Sequence, residues 1–320
     1  MQKPSCSCRD LWGRRDANAH VTCYASRLSY PTATVEQRPP TVISAVLNPL
    51  QSSQIPPSTL SASGLRVATY NIHKGVRGVG LTKRLEIHNL GLAVEALDAD
   101  IVCLQEVRLF NHQEARSFSR TQFGHGAWPS KSQAEYLAPE GYEVAYRTNA
   151  VTRHGEHGNA LLSRWPLGEI GHHDVSDHRF EQRGLLHVPV KWRGIEVHVV
   201  VVHLGLISAS RVRQAERMAE LVSQDLPPGA PVIIAGDFND WNEALDDVLV
   251  PAGLVRACTP NAPRQPTFPS RIPVLALDRV YTRGLQCSNI MVPRGDAWAR
   301  MSDHLPLVAE FELGDKASAP

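Results

Sequence analysis

No run of eighteen or more apolar residues occurs in the 320-residue sequence, so no segment is long enough to cross a bilayer as a helix. The first residues also lack the apolar stretch of a secretory signal: Arg9, Arg14, Arg15, Asp16 and His20 interrupt it. Cysteine is sparse. The six are scattered, with Cys6, Cys8 and Cys23 early and Cys103, Cys258 and Cys287 far apart, which is no disulfide framework. A reducing, cytoplasmic location is expected. Cys6, Cys8, His20 and Cys23 match no common zinc spacing, and the three cysteines read as free thiols. No short repeat is present.

A strong charge of either sign is missing too. The net charge is +1, and of 33 Lys/Arg and 32 Asp/Glu, six and three fall in residues 1–62, which leaves 27 and 29 in the rest. That balance argues against a broad basic field for non-specific DNA binding. A basic set does lie within 108–158: Arg108, Arg116, Arg120, Lys131, Arg147 and Arg153 could follow a nucleic-acid backbone.

Residues 1–63 are rich in Ser, Thr, Pro and Arg without periodicity, and an extension lacking a packed core is expected there. Residues 64–313 read as one catalytic domain and 314–320 as a tail. The domain alternates strands and helices, the pattern of a layered α/β fold. A strand over 65–70 ends at Asn71, and a glycine-bearing loop follows. Thr82 is a candidate helix cap, and Ile87, Leu90, Val94 and Leu97 recur at helical spacing. A second buried strand over 101–104 ends in Gln105-Glu106. Residues 108–158 are polar and read as irregular, with a short helix near 133–137 and strands over 142–146 and 160–162. Strands over 185–192 and 195–202 form a hairpin turned at Arg193-Gly194, and the second runs into His203. Helical spacing returns at Val212, Ala215, Ala219 and Val222. A strand over 232–236 opens onto Asp237, Phe238 and Asn239. A helix over 243–249, a strand over 274–277 ending at Asp278, and a last strand over 305–313 after Asp303-His304 complete the reading.

One pattern recurs. Buried runs stop at a residue able to bind a cation or move a proton: Asn71, Glu106, His203, Asp237 with Asn239, and Asp278. Asp303-His304 stands before another run. Taken alone, each is an ordinary turn former or surface acid. Together they suggest one pocket at the edge of a sheet. Oxygen donors with few imidazoles and no adjacent cysteine suit Mg²⁺ or Mn²⁺, and such a cation suits a phosphoester substrate.

Tyr70-Asn71, Leu104-Gln105-Glu106, Val202-His203, Gly236-Asp237-Phe238-Asn239, Leu277-Asp278-Arg279 and Ser302-Asp303-His304 resemble, in order, the motifs of the endonuclease/exonuclease/phosphatase superfamily. The resemblance spans residues 65–313. It implies a four-layer α/β sandwich with two facing, mainly antiparallel sheets, as in DNase I. It also implies a metal-dependent phosphodiesterase. Glu106, with Asn71 and Asp303, would hold Mg²⁺. Asp237 would orient or deprotonate water, Asn239 would hold a phosphate oxygen, and His304, paired with Asp278, would contact the phosphate. His203 would stabilise the phosphate or assist the leaving group. Whether Asp237 or His304 is the base stays open. Asn159 resembles the substrate-side Gly-Asn of sphingomyelinase-like members, and Arg183 is a candidate phosphate contact, each weighed evenly against a turn or surface-ion-pair role. His73-Lys74, Trp241, Trp298 and His172-His173 read first as loop or packing residues. The substrate expected is a lipid-derived, small-molecule or nucleic-acid phosphodiester, acted on by a monomer. The loop from Tyr70 to Gly75 looks closest to the small bacterial, sphingomyelinase-like members.

Overall fold

The computed structural model describes residues 64–78, 82–120, 128–259 and 264–313. The segment 1–63, the tail 314–320, and with them the six early basic residues and Cys6, Cys8, His20 and Cys23, lie outside the described residues. No described helix is long and apolar enough to cross a membrane.

Two six-stranded sheets form the domain. The first has the order β13 (Leu285–Met291), β14 (Leu307–Leu313), β1 (Leu65–Asn71), β4 (Ile101–Asn111), β6 (Gly155–Ser163) and β5 (Glu143–Thr152). The second has β11 (Val255–Arg256), β12 (Asp278–Arg283), β10 (Val232–Asp237), β9 (Ile195–His203), β8 (Gly184–Trp192) and β7 (Gly171–Asp174). Only β1–β4 and β9–β10 pair in parallel; every other neighbour is antiparallel. A small ladder, β2 (Val76–Arg77) with β3 (Arg84–Leu85), stands apart.

The unbroken valine run of β9 shows why the strands carry little alternation. Val197, Val199 and Val201 enter the core between the sheets, while Val200 and Val202 enter a second core on the far face. A strand covered on both faces needs apolar residues at every position. The sheets face each other through β1 and β4 against β10 and β12. Helix α1 (Ile87–Leu97), α3 (Gln133–Leu137) and α6 (Asp296–Met301) pack in succession with the first sheet; α2 (His112–Arg120) follows β4 directly. Helix α4 (Ser208–Glu220) runs into one wider turn (Leu221–Asp225) and buries Ala215, Met218 and Val222 on the second sheet beside α5 (Asp246–Leu249). The result is the four-layer sandwich with helices outside both sheets.

Several local expectations change. Thr82 caps no helix: the chain first forms the β2–β3 ladder, and α1 begins after Glu86 with no side-chain cap. The 108–158 stretch is largely regular. β4 continues to Asn111, α2 follows, and β5 and β6 make a long hairpin. β5 is an edge strand, half-buried for most of its length, so its polar sequence hides it. The helix expected over 243–249 is only Asp246–Leu249, because Asp240 accepts from the Ala244 and Leu245 amides and holds the preceding residues in a loop. Residues 274–277 form no strand, only an isolated bridge from Leu275 to Phe268.

Candidate active site

The second sheet sets three side chains abreast. Asp237 ends β10, and its register partners are His203 on parallel β9 and Asp278 on antiparallel β12. Residues paired across strands project to the same face, here the face toward the first sheet. Asp278 therefore begins its strand rather than ending one, yet it reaches the same edge because β12 runs the opposite way. Gly236 makes this close arrangement feasible: a Cβ there would lie 1.9 Å from the Val202 carbonyl oxygen.

The first sheet supplies the facing residues. Asn71 ends β1, and its Nδ2 donates to Asp237 Oδ2 at 3.0 Å, which ties the two sheets together. Its Oδ1 accepts from the His73 amide at 3.1 Å. Glu106 does not end a strand. It sits inside β4 at a bulge, where Gln105 and Glu106 together oppose Asn159 of β6. Its φ of 57° is left-handed, so the chain is turned there. Gln105 uses its side chain on Thr69 and the Cys103 carbonyl. Glu106 instead meets Lys74, with Nζ 3.1 Å from Oε2, although no donor reaches that buried oxygen in hydrogen-bond geometry.

The loop before β14 is pinned over the β1 end. Ser302 Oγ donates to the Asn71 carbonyl at 2.7 Å and accepts from the His304 amide at 3.3 Å, and Arg77 donates to the Ser302 carbonyl. His304 is thereby placed between two carboxylates: Nδ1 is 2.8 Å from Asp278 Oδ2 and Nε2 is 3.6 Å from Asp237 Oδ2. The Phe268 ring lies against the imidazole, centroids 4.9 Å apart. Asp303 Oδ2 is 3.2 Å from His73 Nδ1. Asn239, with φ 50°, a conformation that asparagine tolerates, donates its amide to Asp237 Oδ1 at 2.9 Å and its Nδ2 to the Leu204 carbonyl at 2.9 Å.

These surroundings drive the titrating groups apart. Burial opposes the charge on Glu106, but His203, Lys74 and His73 hold its carboxyl down to about 2. Burial likewise opposes Asp303, and the His73 hydrogen bond and nearby His304 hold it down to about 2. For Asp237 burial wins, and the carboxyl is raised despite His304 and His203. Burial and the charge of Arg183 push His203 down to about 4. His304 is the opposite case: burial opposes its cation, yet Asp278 and Asp237 lift it to about 10.

Asp237, Asp278 and His304 bring three ligand atoms within 4.8 Å of one another. Their chemistry does not suit a cation. His304 carries protons on both nitrogens at neutral pH, so it offers donors, and Asp278 is already spent on it. Glu106 fits better, because it keeps its charge, carries an oxygen without a hydrogen bond and lies beside Asn71 and the ionised Asp303 loop.

Eight expected residues therefore converge: Asn71, Glu106, His203, Asp237, Asn239, Asp278, Asp303 and His304. Arg183 joins them at the margin, with its charge felt at His203 and its Nη2 3.1 Å from Glu181. Asn159 lies at the seam between the two sheets. It is fully buried, and its Nδ2 donates to the carbonyls of Gly184 and Val201, so it clamps the first sheet to the second. Two of the basic residues of 108–158 are engaged within the fold. Arg108 is committed to Glu114, and Arg147 donates to the Tyr146 and Ile170 carbonyls. Trp298 is fully buried as a packing residue, and Trp241 is exposed over Arg211. His172 and His173 lie on edge strand β7 away from the site. Residues that the sequence left in the background take part: Lys74 and His73 pair with the two ionised carboxylates, and His157, whose imidazole is lowered by burial and by Lys74, lies near Glu106. The signal for the first two is their place in the loop just after Asn71.

Comparison with known proteins agrees with this fold. Residues 68–304 match the model of the Endonuclease/Exonuclease/phosphatase family. Uncharacterized protein YbhP of Escherichia coli K12 is 38% identical over 263 residues, 80% of this chain and 100% of its own length. A Bacteroides vulgatus endonuclease/exonuclease/phosphatase structure superposes with a TM-score of 0.59 at 16% identity, covering 79% of this chain and all of that one. The mannosyl-6-phosphatase Bt3783 of Bacteroides thetaiotaomicron gives 0.55 at 21% identity, over 77% and 99%.

Proposed function

The chain belongs to the endonuclease/exonuclease/phosphatase family and is a hydrolase of phosphoester bonds; from that premise we propose that it is a Mg²⁺-dependent phosphodiesterase acting by in-line attack of water. The observation that carries the reading is the line Asn71–Asp237–His304–Asp278, set against a separate, permanently ionised Glu106. Glu106, with Asn71 and Asp303, would hold the cation, which when bound would neutralise charge on the phosphate.

The remaining roles fall to the protein's own groups. His304 stays cationic at neutral pH and faces the pocket through Nε2, so it contacts the phosphate rather than accepting a proton. Asp237 takes the part of base: Asn71 and Asn239 orient its two oxygens, and its raised pKa strengthens it as a proton acceptor. His203 is neutral and can donate a hydrogen bond to a phosphate or leaving-group oxygen, with Arg183 beside it. The Asn239 amide keeps one N–H available to a phosphate oxygen.

A nucleic-acid substrate is the second reading, and the commitment of Arg108 and Arg147 elsewhere weighs against it. A monomer in the cytoplasm completes the proposal; light scattering after size exclusion and cell fractionation check both. The central test is hydrolysis of bis(p-nitrophenyl) phosphate with Mg²⁺ and with EDTA. Glu106→Ala and His304→Ala should abolish the Mg²⁺-dependent rate while far-UV circular dichroism stays unchanged. Turnover like wild type in either variant refutes the assignment. Plasmid and abasic DNA run alongside decide between the two substrate readings.

A further inference from the structure

The loops around this site expose six large apolar side chains. Phe180 is 85% exposed, Ile272 74%, Val274 68%, Leu206 56%, Ile207 53% and Trp241 43%. They come from four connections: the one entering β8, the one leaving β9 after His203, the one leaving β10 after Asn239, and the one entering β12 before Asp278. All four lie at the end of the second sheet that carries the catalytic residues.

The connections touch one another. Glu181 Oε1 accepts from the Leu206 amide at 3.0 Å, and the Arg211 Nη1 donates to the Leu206 carbonyl at 2.6 Å. The same guanidinium lies 4.8 Å from the Trp241 ring and holds the indole outward. Trp241 and Val274 line one open cleft with Pro266 and Leu275. The last of these loops is tied to the site by the Ser270 amide, which donates to the Asp303 carbonyl at 2.7 Å.

The rim carries unpaired positive charge. Three of its acids are occupied, Asp177 by Arg213, Glu181 by Arg183, and Glu243 by Arg264. Exposed Arg179 lies over the Phe180 ring at 4.5 Å and pairs with no described carboxylate, nor does exposed Arg271. Aliphatic tips with an indole and flanking arginines are what an interfacial surface presents to a bilayer. A nucleic-acid surface would instead need aromatic platforms along a continuous basic groove, and four of these six residues are aliphatic.

We propose that this rim docks the enzyme on an anionic phospholipid bilayer, so that the phosphodiester it cleaves is a lipid headgroup presented at that surface. The substrate part rests on the phosphodiesterase reading above; the docking part does not.

The test uses the full chain, in EDTA so that the catalytic pocket holds no cation. Sedimentation is measured with vesicles of phosphatidylcholine alone and of phosphatidylcholine with phosphatidylglycerol. Wild type should sediment with the anionic vesicles and weakly with the neutral ones. Leu206→Asp/Ile207→Asp and Ile272→Asp/Val274→Asp, in separate loops, should each weaken binding by about tenfold or more. Both should hydrolyse bis(p-nitrophenyl) phosphate with Mg²⁺ within about twofold of wild type, which also shows that they fold. Absence of wild-type sedimentation, or undiminished sedimentation of both variants, overturns the proposal. So does binding of a labelled single-stranded oligonucleotide that the variants lose while vesicles go unbound. Loss of hydrolysis of the soluble ester by wild type, with vesicle binding intact, would defeat the phosphodiesterase reading and leave the docking surface standing.

Discussion

The two sheets contribute the same kinds of side chain to the site and give them opposite tasks. On the side of the first sheet Glu106 and Asp303 keep part of their surface open, and Lys74 and His73 stand beside them. Both carboxyls are held down to about 2, so their charge is fixed across the physiological range. On the second sheet Asp237 and Asp278 are sealed in with imidazoles, and among the described residues no Lys or Arg contacts them directly. There Asp237 is raised, His203 falls to about 4 and His304 climbs to about 10. A carboxylate that never protonates is a cation ligand; carboxylates that share protons with imidazoles manage acid–base chemistry. The difference comes from burial and the nearest cation, not from residue type.

Removing the fixed charge tests the first side. Glu106→Gln keeps the volume and deletes one negative charge, and Mg²⁺-dependent turnover of bis(p-nitrophenyl) phosphate should fall by about 10³-fold. The Mg²⁺ concentration for half-maximal rate should rise as well. A variant that recovers wild-type turnover at high Mg²⁺, or that shows an unchanged metal requirement, removes the division between the sheets.

The second side is broken more gently by Asp278→Asn. His304 loses its nearer carboxylate, and its pKa should drop from about 10 toward the ordinary 6.5. Since the imidazolium is the working form, the alkaline limb of the pH–rate profile should move to lower pH, with turnover near neutrality down by about 10²-fold. A pKa raised in the folded state stabilises fully below 6.5 and is lost as pH rises through about 10. Wild type should therefore lose urea resistance between those values, and Asp278→Asn should lose much less. An unmoved alkaline limb would mean that His304 does not carry it.

Much of this was legible in the sequence. Strands buried on both faces announce themselves as uninterrupted Val and Ile, and the residues that stop them, Asn71, His203 and Asp237, were found for that reason. Glu106 was found as well, but its placement was misread, because a bulge with a left-handed residue leaves no mark in hydrophobic periodicity. Asp278 was misread for a related cause: sequence gives no strand direction, so the beginning of an antiparallel strand looks like the end of a parallel one. The β5–β6 hairpin was partly missed, since an edge strand half-open to water has no apolar face to show. The partnerships of Lys74 with Glu106 and of Asp240 with Arg279 join residues 32 and 39 positions apart and depend on the folded chain.

His203 gives a smaller test of the buried side. Its folded pKa of about 4 lies below the ordinary 6.5, so the unfolded chain takes up the proton first and stability is lost as pH falls through that window. His187, also pushed down to about 4 by burial and His198, acts in the same direction. His203→Gln should remove part of the acid sensitivity, up to about 3 kcal/mol between pH 7 and pH 4 in urea denaturation, and leave the His187 share. Equal acid sensitivity in wild type and variant would show that His203 is not held neutral by burial.

Asn159 carries the smallest expected effect and the sharpest contrast between sequence and structure. By resemblance it belongs with the substrate; in the fold it bridges the sheets, with both donated hydrogen bonds going to backbone carbonyls of the second sheet. Asn159→Ala should leave those carbonyls unpaired and lower stability by about 1–2 kcal/mol, read from the urea midpoint. KM for the soluble ester should stay near wild type, because no atom of Asn159 is open to solvent. A raised KM with an unchanged midpoint would restore the substrate role and would mean that the clamp opens when substrate binds. The two sheets would then be a moving pair rather than a fixed frame, and their contrasting electrostatics would have to be judged in the opened form.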